Sequence, residues 1–426
     1  MTSSATGSSE GVSSTHQEEE APGPLAGLQI LDLSTYVAGP SCGMTLAQLG
    51  ADVIRIDPIG GATDVRRLPL DREGDSLYWA GLNKAKRTIE IDTSRPEGRE
   101  LVYALLTASG SEGGVLLTNA VGQHWLDYDQ LVTHRSDLIE VHVAGRADGK
   151  PAVDYTINCE VGLPLITGPT DFDRPVNHVL PAWDLLTGLH AAIGILSAER
   201  VRSRTGQGQL VTVSLADVAV ATMGHLGFLG DVALNGRGRL RDGNYLYGSF
   251  GCDFRSRDGR QVMIVALTER QWQNLLKLTG TGEVIAALEQ TIGVDLTAEE
   301  VRYQYREVLV GLFRPWFEGR DFDEIASALD SNRVLWGPYR SVEDLVHEPD
   351  SLLNVSPIID EVDYRGLGTY PVPRSVLRFS DWADLPSASP PKMGEDTRSV
   401  LADVLGIGDA ELAELRASGV VGGNPT

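Results

Sequence analysis

Between Leu28 and Val143, five short apolar runs, "LQILDL", "ADVIRID", "KRTIEID", "EGGVLLTN" and "DLIEVHV", alternate with stretches of helical spacing such as "GMTLAQLG", "RPEGRELVYALLTAS" and "YDQLVTHR". Strands separated by helices pair in parallel, because each crossover helix returns the chain to the same edge, and helices then cover both sheet faces. This alternation predicts an α/β fold with a large parallel-sheet domain.

Further along the signals change. A buried helix is expected from about Leu185 to Arg200, and "GQLVTVSLADVAVATMGHLGFL" reads as a strand followed by a helix. "NGRGRLRDGNYLYGSFG" is crowded with glycine and arginine, as in a functional loop or a domain boundary. "FRSRDGRQVMIVAL" predicts a hairpin turning at Asp258 and Gly259, and helices should dominate 270–330. "SPIIDEVDYRGLGTYPVPRSVLRFS" is β-rich, and a last helix follows "SASPPKMGEDT". The expected segments are a disordered tail over 1–22, a large domain over 23–224 completed by 331–426, and a smaller α+β domain over 225–330.

The 426 residues contain no apolar run near the roughly 18–20 residues of a membrane helix, and nothing at the start resembles a secretory signal. A formal charge of −23 argues against nucleic acid or an anionic membrane as the main partner. It leaves room for an anionic small molecule, because screening lets a local basic cluster outweigh a distant acidic surface. Cys42, Cys159 and Cys252 are too scattered for a disulfide framework or a thiolate metal site, which suits a reducing cytoplasm. The histidines show no zinc spacing, and His190 is expected as a satisfied core residue.

Several familiar sites fail on their spacing. Asp57 closes the second strand where a ribose-binding acid would sit, but "STYVAGPSCG" lacks the G-x-G-x-x-G order that brings backbone against a pyrophosphate. Asp57 is therefore read as a strand-end residue. "YGSFG" is out of register for a nucleophile elbow. "NKAKRTIEID" places Lys84, Lys86 and Arg87 before a strand, either as a solvated basic turn or as a holder of phosphate oxygens.

In "LPAWDLLTGLHAAIGILSAER" one carboxylate stands ahead of a segment with no other acid before Glu199. Asp184 is expected as the N-cap of that helix. A cap can also do chemistry, since the positive helix end keeps the acid ionised and an ionised carboxylate in an apolar pocket is a potential nucleophile.

Seven blocks, in order, resemble the class III CoA-transferases, also called the CaiB/BaiF or formyl-CoA transferase family. They are "LAGLQILDLSTYVAGPSCGMTLAQLGADVIRID", "NKAKRTIEID" with "RPEGRE", "WDLLTGLHAAIGILSAE", "RTGQGQLVTVSLADVA", "GNYLYGSFGCDFRSRDGR", "WGPYRSVEDL" and "PKMGEDTRSVL". The resemblance implies a Rossmann-like large domain and an interlocked homodimer. It makes Asp184, from the D-x-x-T-G block, the nucleophile that accepts an acyl group from a CoA thioester, with Asp154 in support. It places the CoA along Val37 and Ala38, Lys84 to Arg87, Asp92 and Thr93, and Asn119. No cofactor beyond CoA itself and no metal is implied.

"FDRPVNHVLPAWD", "GNYLYGSFG" and "VDYTINCEVGLPLITGP" resemble one branch of the family, which moves CoA between the two carboxyls of a single dicarboxylic acid, mesaconate. Val37 in place of a site glutamine and the lack of a tetraglycine loop agree with that branch. Pro58 stands where formyl-CoA transferases carry a nucleotide-binding arginine. Arg241, His178, Tyr247 and Gly248 are expected around the pocket, the first three as holders of the idle carboxylate. Oxyanion donors are expected from backbone N–H groups of the 243–251 loop or of the start of the Asp184 helix. The alternatives are an intermolecular CoA-transferase using a free acid, and a CoA-binding protein without catalysis.

Overall fold

A computed structural model of the chain describes residues 23–108, 110, 112–365 and 367–423, so the tail expected over 1–22 lies outside the described residues. The described chain divides into two compact units, one with the residues up to Glu140, Ile195–Gln209 and Asp360 onward, the other with Val141–Gly194 and Leu210–Ile359. The stretch expected as the smaller domain, 225–330, lies inside the second unit, which also takes 141–194, 210–224 and 331–359 from the expected large domain.

The first unit carries strands β1 (Gln29–Leu33), β2 (Asp52–Asp57), β3 (Arg87–Glu90) and β4 (Val115–Thr118). With β5 (Ile139–Ala144) and β6 (Gln209–Ser214) they form a six-stranded sheet in the order β3-β2-β1-β4-β5-β6. β1 pairs in parallel with β2 and β4, and β2 with β3. This is the Rossmann-type order, in which β1 and β4 diverge to leave a crevice beyond their carboxyl ends.

Helices α1 (Ala38–Ala47), α2 (Leu77–Asn83), α3 (Pro96–Ala108) and α4 (Tyr128–His134) connect these strands. Ser76 starts α2 by accepting the Trp79 N–H at 3.0 Å, satisfying a donor that has no partner inside the helix. Ile54, Ile89, Val102, Leu105, Leu116 and Val400 are at most 2% exposed in the core of this unit. Burying each such side chain contributes roughly 1.5–3 kcal/mol. The C-terminal segment closes the β3 edge: the Thr88 N–H donates to Asp396 Oδ2 at 2.8 Å, the Glu90 N–H to Thr397 Oγ1 at 3.2 Å, and Val421 bridges Ile91.

The second unit contains α5 (Asp154–Glu160), α6 (Leu163–Ile166), most of the long α7 (Ala182–Thr205), α8 (Leu215–His225) and α9 (Phe228–Asn235). Its antiparallel sheet joins β7 (Phe250–Arg255), β8 (Gln261–Ala266) and β9 (Leu335–Pro338). The β7–β8 turn is the one expected at Asp258 and Gly259, where Gly259 takes a φ of +89° that other residues resist. Helices fill Glu269–Ser331 and pack Trp272, Phe313 and Phe317 against the inner face of β7 and β8.

The helix read as buried from about Leu185 differs in two ways. It begins three residues earlier, and only one face is covered: Ala191, Ile195 and Ala198 are fully buried, whereas Leu189 and Ile193 are 50% and 61% exposed. His190, expected in the core, is exposed and bonds the Leu186 carbonyl through Nδ1 at 2.8 Å. Among the described residues no single helix is long and apolar enough to cross a membrane; the apolar pair α8 and α9 is bent by 61° between its members.

Candidate active site

In the second unit the start of α7 is built by a residue 30 positions away. Asp154 opens α5, is 1% exposed, and turns its carboxylate onto α7: Oδ2 accepts the N–H of Trp183 at 2.7 Å and of Asp184 at 3.1 Å. The cap of α7 is thus Asp154, not Asp184 as expected, and Asp184 belongs to the first helical turn. The positive helix end still favours an anion at Asp184.

The same Asp154 carboxylate takes a bond from His178, whose Nε2 lies 2.8 Å from Oδ1. Trp183 Nε1 donates to Asn158 Oδ1 at 3.2 Å, and Asn158 Nδ2 donates to Asn177 Oδ1 at 2.6 Å. Asp154, His178 and Asp184 therefore share one assembly, and Asn158, Asn177 and Trp183, which lie inside the quoted sequence blocks but were not singled out there, are structural members of it. Thr187, one turn beyond Asp184, is fully buried, and its hydroxyl has no hydrogen-bond partner among the described residues.

Of the two expected sources of oxyanion donors, the helix start is occupied. The N–H of Ala182 bonds Leu180 O, those of Trp183 and Asp184 bond Asp154, and that of Leu185 bonds Pro181 O. In the 243–251 loop the N–H groups of Gly243, Tyr245, Leu246 and Ser249 have backbone acceptors, while those of Asn244, Tyr247 and Gly248 have none among the described residues. Tyr247 is 44% exposed, and Gly248 takes a φ of +79°.

Arg241 does something other than expected. Its guanidinium donates to four main-chain carbonyls, Leu165 (2.9 Å), Pro164 (3.2 Å), Arg174 (2.6 Å) and Phe172, so it fastens the 164–174 segment instead of facing a carboxylate. A cavity of about 380 Å³ lies between Gly168–Thr170, Asp242–Tyr245 and Arg314, and Asp184, His178, Arg241 and Tyr247 are not in its lining.

In the first unit the expected CoA residues separate into two groups. Val37 and Ala38 start α1 at the carboxyl end of β1, and the Ala38 and Gly39 N–H groups have no acceptor among the described residues. Asn119, just past β4, is bonded to Thr35 in both directions: it donates to the carbonyl at 3.0 Å and accepts the N–H at 3.1 Å. Val37, Ala38 and Asn119 therefore border the β1–β4 crevice, where Val37 and Ala38 are buried, at 1% and 5% exposure. Asp92 and Thr93 follow β3, where Asp92 Oδ1 accepts the Ser94 N–H at 3.0 Å and holds the turn into α3.

The basic turn is mostly spent on the fold. Lys86 is buried, and all three of its donors are used, on Asp32 Oδ2 (2.8 Å), Pro40 O (2.9 Å) and Asn83 Oδ1 (2.8 Å). It cannot also hold a CoA phosphate. Arg87 forks onto Asp52 with contacts of 2.8 and 2.5 Å. Asp57, the strand-end residue, has its carboxylate bonded to Arg55 at 2.8–3.1 Å.

Lys84 is different: it is 6% exposed, has no acidic partner among the described residues, and burial lowers its ammonium to about 8. If Lys84 holds an anion of CoA, affinity for a CoA thioester should weaken about tenfold from pH 7 to pH 9, because the free protein increasingly carries a neutral amine there. Calorimetry on the wild type and Lys84→Met checks this, and an unchanged pH slope in the variant removes Lys84 from the site.

Among the described residues no group of three or more His, Cys, Asp or Glu side chains is placed to hold a metal.

The first unit holds a Rossmann-ordered sheet with its crevice, and the second presents Asp184 in the first turn of a helix capped by a buried carboxylate. The chain belongs to CoA-transferase family III, whose model matches residues 25–397. It is 45% identical, over 94% of its length and 98% of the relative's, to the 2-methylfumaryl-CoA isomerase of Chloroflexus aurantiacus. It is 27% identical to the succinyl-CoA:mesaconate CoA-transferase of Haloarcula hispanica over 91% of this chain and 97% of that one. A crystal structure of a CaiB/BaiF family protein from Brucella suis superposes with a TM-score of 0.74 at 27% identity, covering 90% of this chain and all of that one.

Proposed function

We propose that this chain moves CoA between the two carboxyls of one dicarboxylic acid, converting 2-methylfumaryl-CoA (mesaconyl-C1-CoA) into 3-methylfumaryl-CoA (mesaconyl-C4-CoA). The observation that carries the reading is the Asp184 turn, capped by a buried carboxylate, in a chain 45% identical across 94% of its length to a 2-methylfumaryl-CoA isomerase.

Asp184 is the nucleophile. Its carboxylate attacks the thioester carbonyl, the C–S bond breaks, and CoA leaves as a thiolate from a mixed anhydride. The thiolate attacks the aspartyl carbonyl and frees the dicarboxylate, leaving an aspartyl-CoA thioester. The acid turns round, its other carboxylate attacks that thioester and expels the thiolate, and the thiolate then attacks the substrate carbonyl of the new anhydride. Asp184 is regenerated and the net change is one thioester for another. Such an exchange is nearly balanced in free energy, so neither a metal nor a cofactor beyond CoA is invoked. What the protein supplies is proximity and donors for the oxyanions, and in the 243–251 loop the N–H groups of Asn244, Tyr247 and Gly248 have no acceptor among the described residues.

The CoA moiety is assigned to Val37, Ala38 and Asn119 at the β1–β4 crevice, with Asp92, Thr93 and Lys84 beyond. Purified protein incubated with mesaconyl-C1-CoA alone should yield the C4 isomer. Strict dependence on an added free acid would instead make it an intermolecular transferase, and absence of a covalent adduct in intact-mass spectra would leave only CoA binding.

The protein acts as an interlocked homodimer. Supporting this, α7 to α9 leave Ile193, Val220, Leu226, Leu229 and Val232 each at least 50% exposed, an apolar surface that a second copy would cover. Dilution should therefore lower the unfolding temperature without yielding a folded monomer, as analytical ultracentrifugation with circular dichroism would read out. The compartment is the cytoplasm, which suits three unpaired cysteines; recovery in the soluble fraction of lysed cells checks it.

A further inference from the structure

Side chains of α5 fasten the strap that leads into α7. The Tyr155 hydroxyl donates to the Val179 carbonyl at 3.3 Å, and Asn158 bonds Asn177, whose Oδ1 also takes the His178 N–H at 3.1 Å. His178 sits in the middle of this strap, its ring edge-on to Tyr155 at 5.8 Å and 83°. Its Nε2 meets Asp154 Oδ1 at 2.8 Å, while Oδ2 of the same group grips the backbone of Trp183 and Asp184. One carboxylate links an imidazole to the main chain of the nucleophile.

We infer that His178 is a positioning residue, acting on Asp184 through Asp154 and not on the substrate. This rests on Asp184 being the nucleophile, as proposed above. Asp154 is 1% exposed and accepts, so Nε2 carries the hydrogen of this bond and is not available to a substrate carboxylate. Without that donor no hydrogen bond among the described residues holds Oδ1. The carboxylate is then free to turn about its Cβ–Cγ bond, its grip on two N–H groups loosens, and the first turn of α7 loses its fixed place. A displacement of about 1 Å at a reacting group costs on the order of 10²-fold in rate. The effect belongs in kcat, because the groups assigned to CoA are elsewhere.

The test is kinetic, on the full chain with mesaconyl-C1-CoA. His178→Leu should lower kcat roughly 10- to 100-fold with KM within about twofold. His178→Gln, whose amide can still donate to Asp154, should recover kcat to within about fivefold. The double variant Asp154→Ala/His178→Leu should be no slower than Asp154→Ala alone. Circular dichroism certifies folding, and His178→Ala replaces the leucine variant if that one does not fold. A raised KM at unchanged kcat, a glutamine variant as slow as the leucine one, or multiplicative losses in the double variant would each overturn the inference and put the ring on the substrate. Intact-mass detection of the acyl adduct separates the two claims: no adduct at Asp184 in the wild type refutes the nucleophile, whereas an adduct with independent losses refutes only the role of His178.

Discussion

Asp184→Ala should lose turnover by a factor on the order of 10⁴ or more while still binding CoA. The proposed nucleophile has no substitute in Asp154, which is buried with both oxygens engaged. The expected loss is more than about 5 kcal/mol of transition-state stabilisation, far beyond what a change in folding stability of a partly buried helical residue would give. Asp184→Glu distinguishes position from charge, because it keeps the carboxylate and moves it by one methylene; it should retain an adduct but fall about 10²-fold in rate. Turnover by the alanine variant above about one percent of wild type would end the mechanism.

The second large effect concerns stability. Lys86→Met leaves Asp32 fully buried without its cation, and breaking one side of such a pair costs roughly 3–5 kcal/mol. For a unit of this size the unfolding temperature should fall by roughly 6–20 °C. Lys86→Met/Asp32→Asn removes both charges and should regain much of that loss; no recovery in the double variant would show that the ion pair is not the reason Lys86 is needed. Burial alone would push the Asp32 carboxyl up, but Lys86 and Arg55 outweigh it and hold the group below its usual range. A carboxylate depressed in the folded state stabilises above its unfolded value of about 3.9, and that contribution is lost as pH falls through the lower folded value. In the wild type, acid denaturation linked to Asp32 should therefore begin only below about pH 4, as urea titrations across that range would show.

These outcomes separate two kinds of residue that look alike on paper. Lys84, Lys86 and Arg87 form a single basic cluster in the linear chain, yet Lys86 is locked into the core, Arg87 is matched by Asp52, and Lys84 alone among the three lacks an acidic partner. Arg241, Tyr247 and His178 all suggested a carboxylate pocket. The first is tied to four carbonyls and the last to Asp154, so neither guanidinium nor Nε2 faces a ligand.

From sequence alone came the α/β architecture, the parallel strands, the hairpin at Asp258 and the family. Each depends on periodicity, turn chemistry or ordered motif blocks, which neighbours within a few residues express without help from the rest of the chain. What only the tertiary structure decided is who caps α7, which lysine lacks an acidic partner among the described residues, and which N–H groups of the 243–251 loop have no acceptor there. Those answers depend on partners 30 or more positions away, as Asp154 is from Asp184 and Lys86 from Asp32, and on burial, which turns an ordinary charge into either a structural pair or a reactive group.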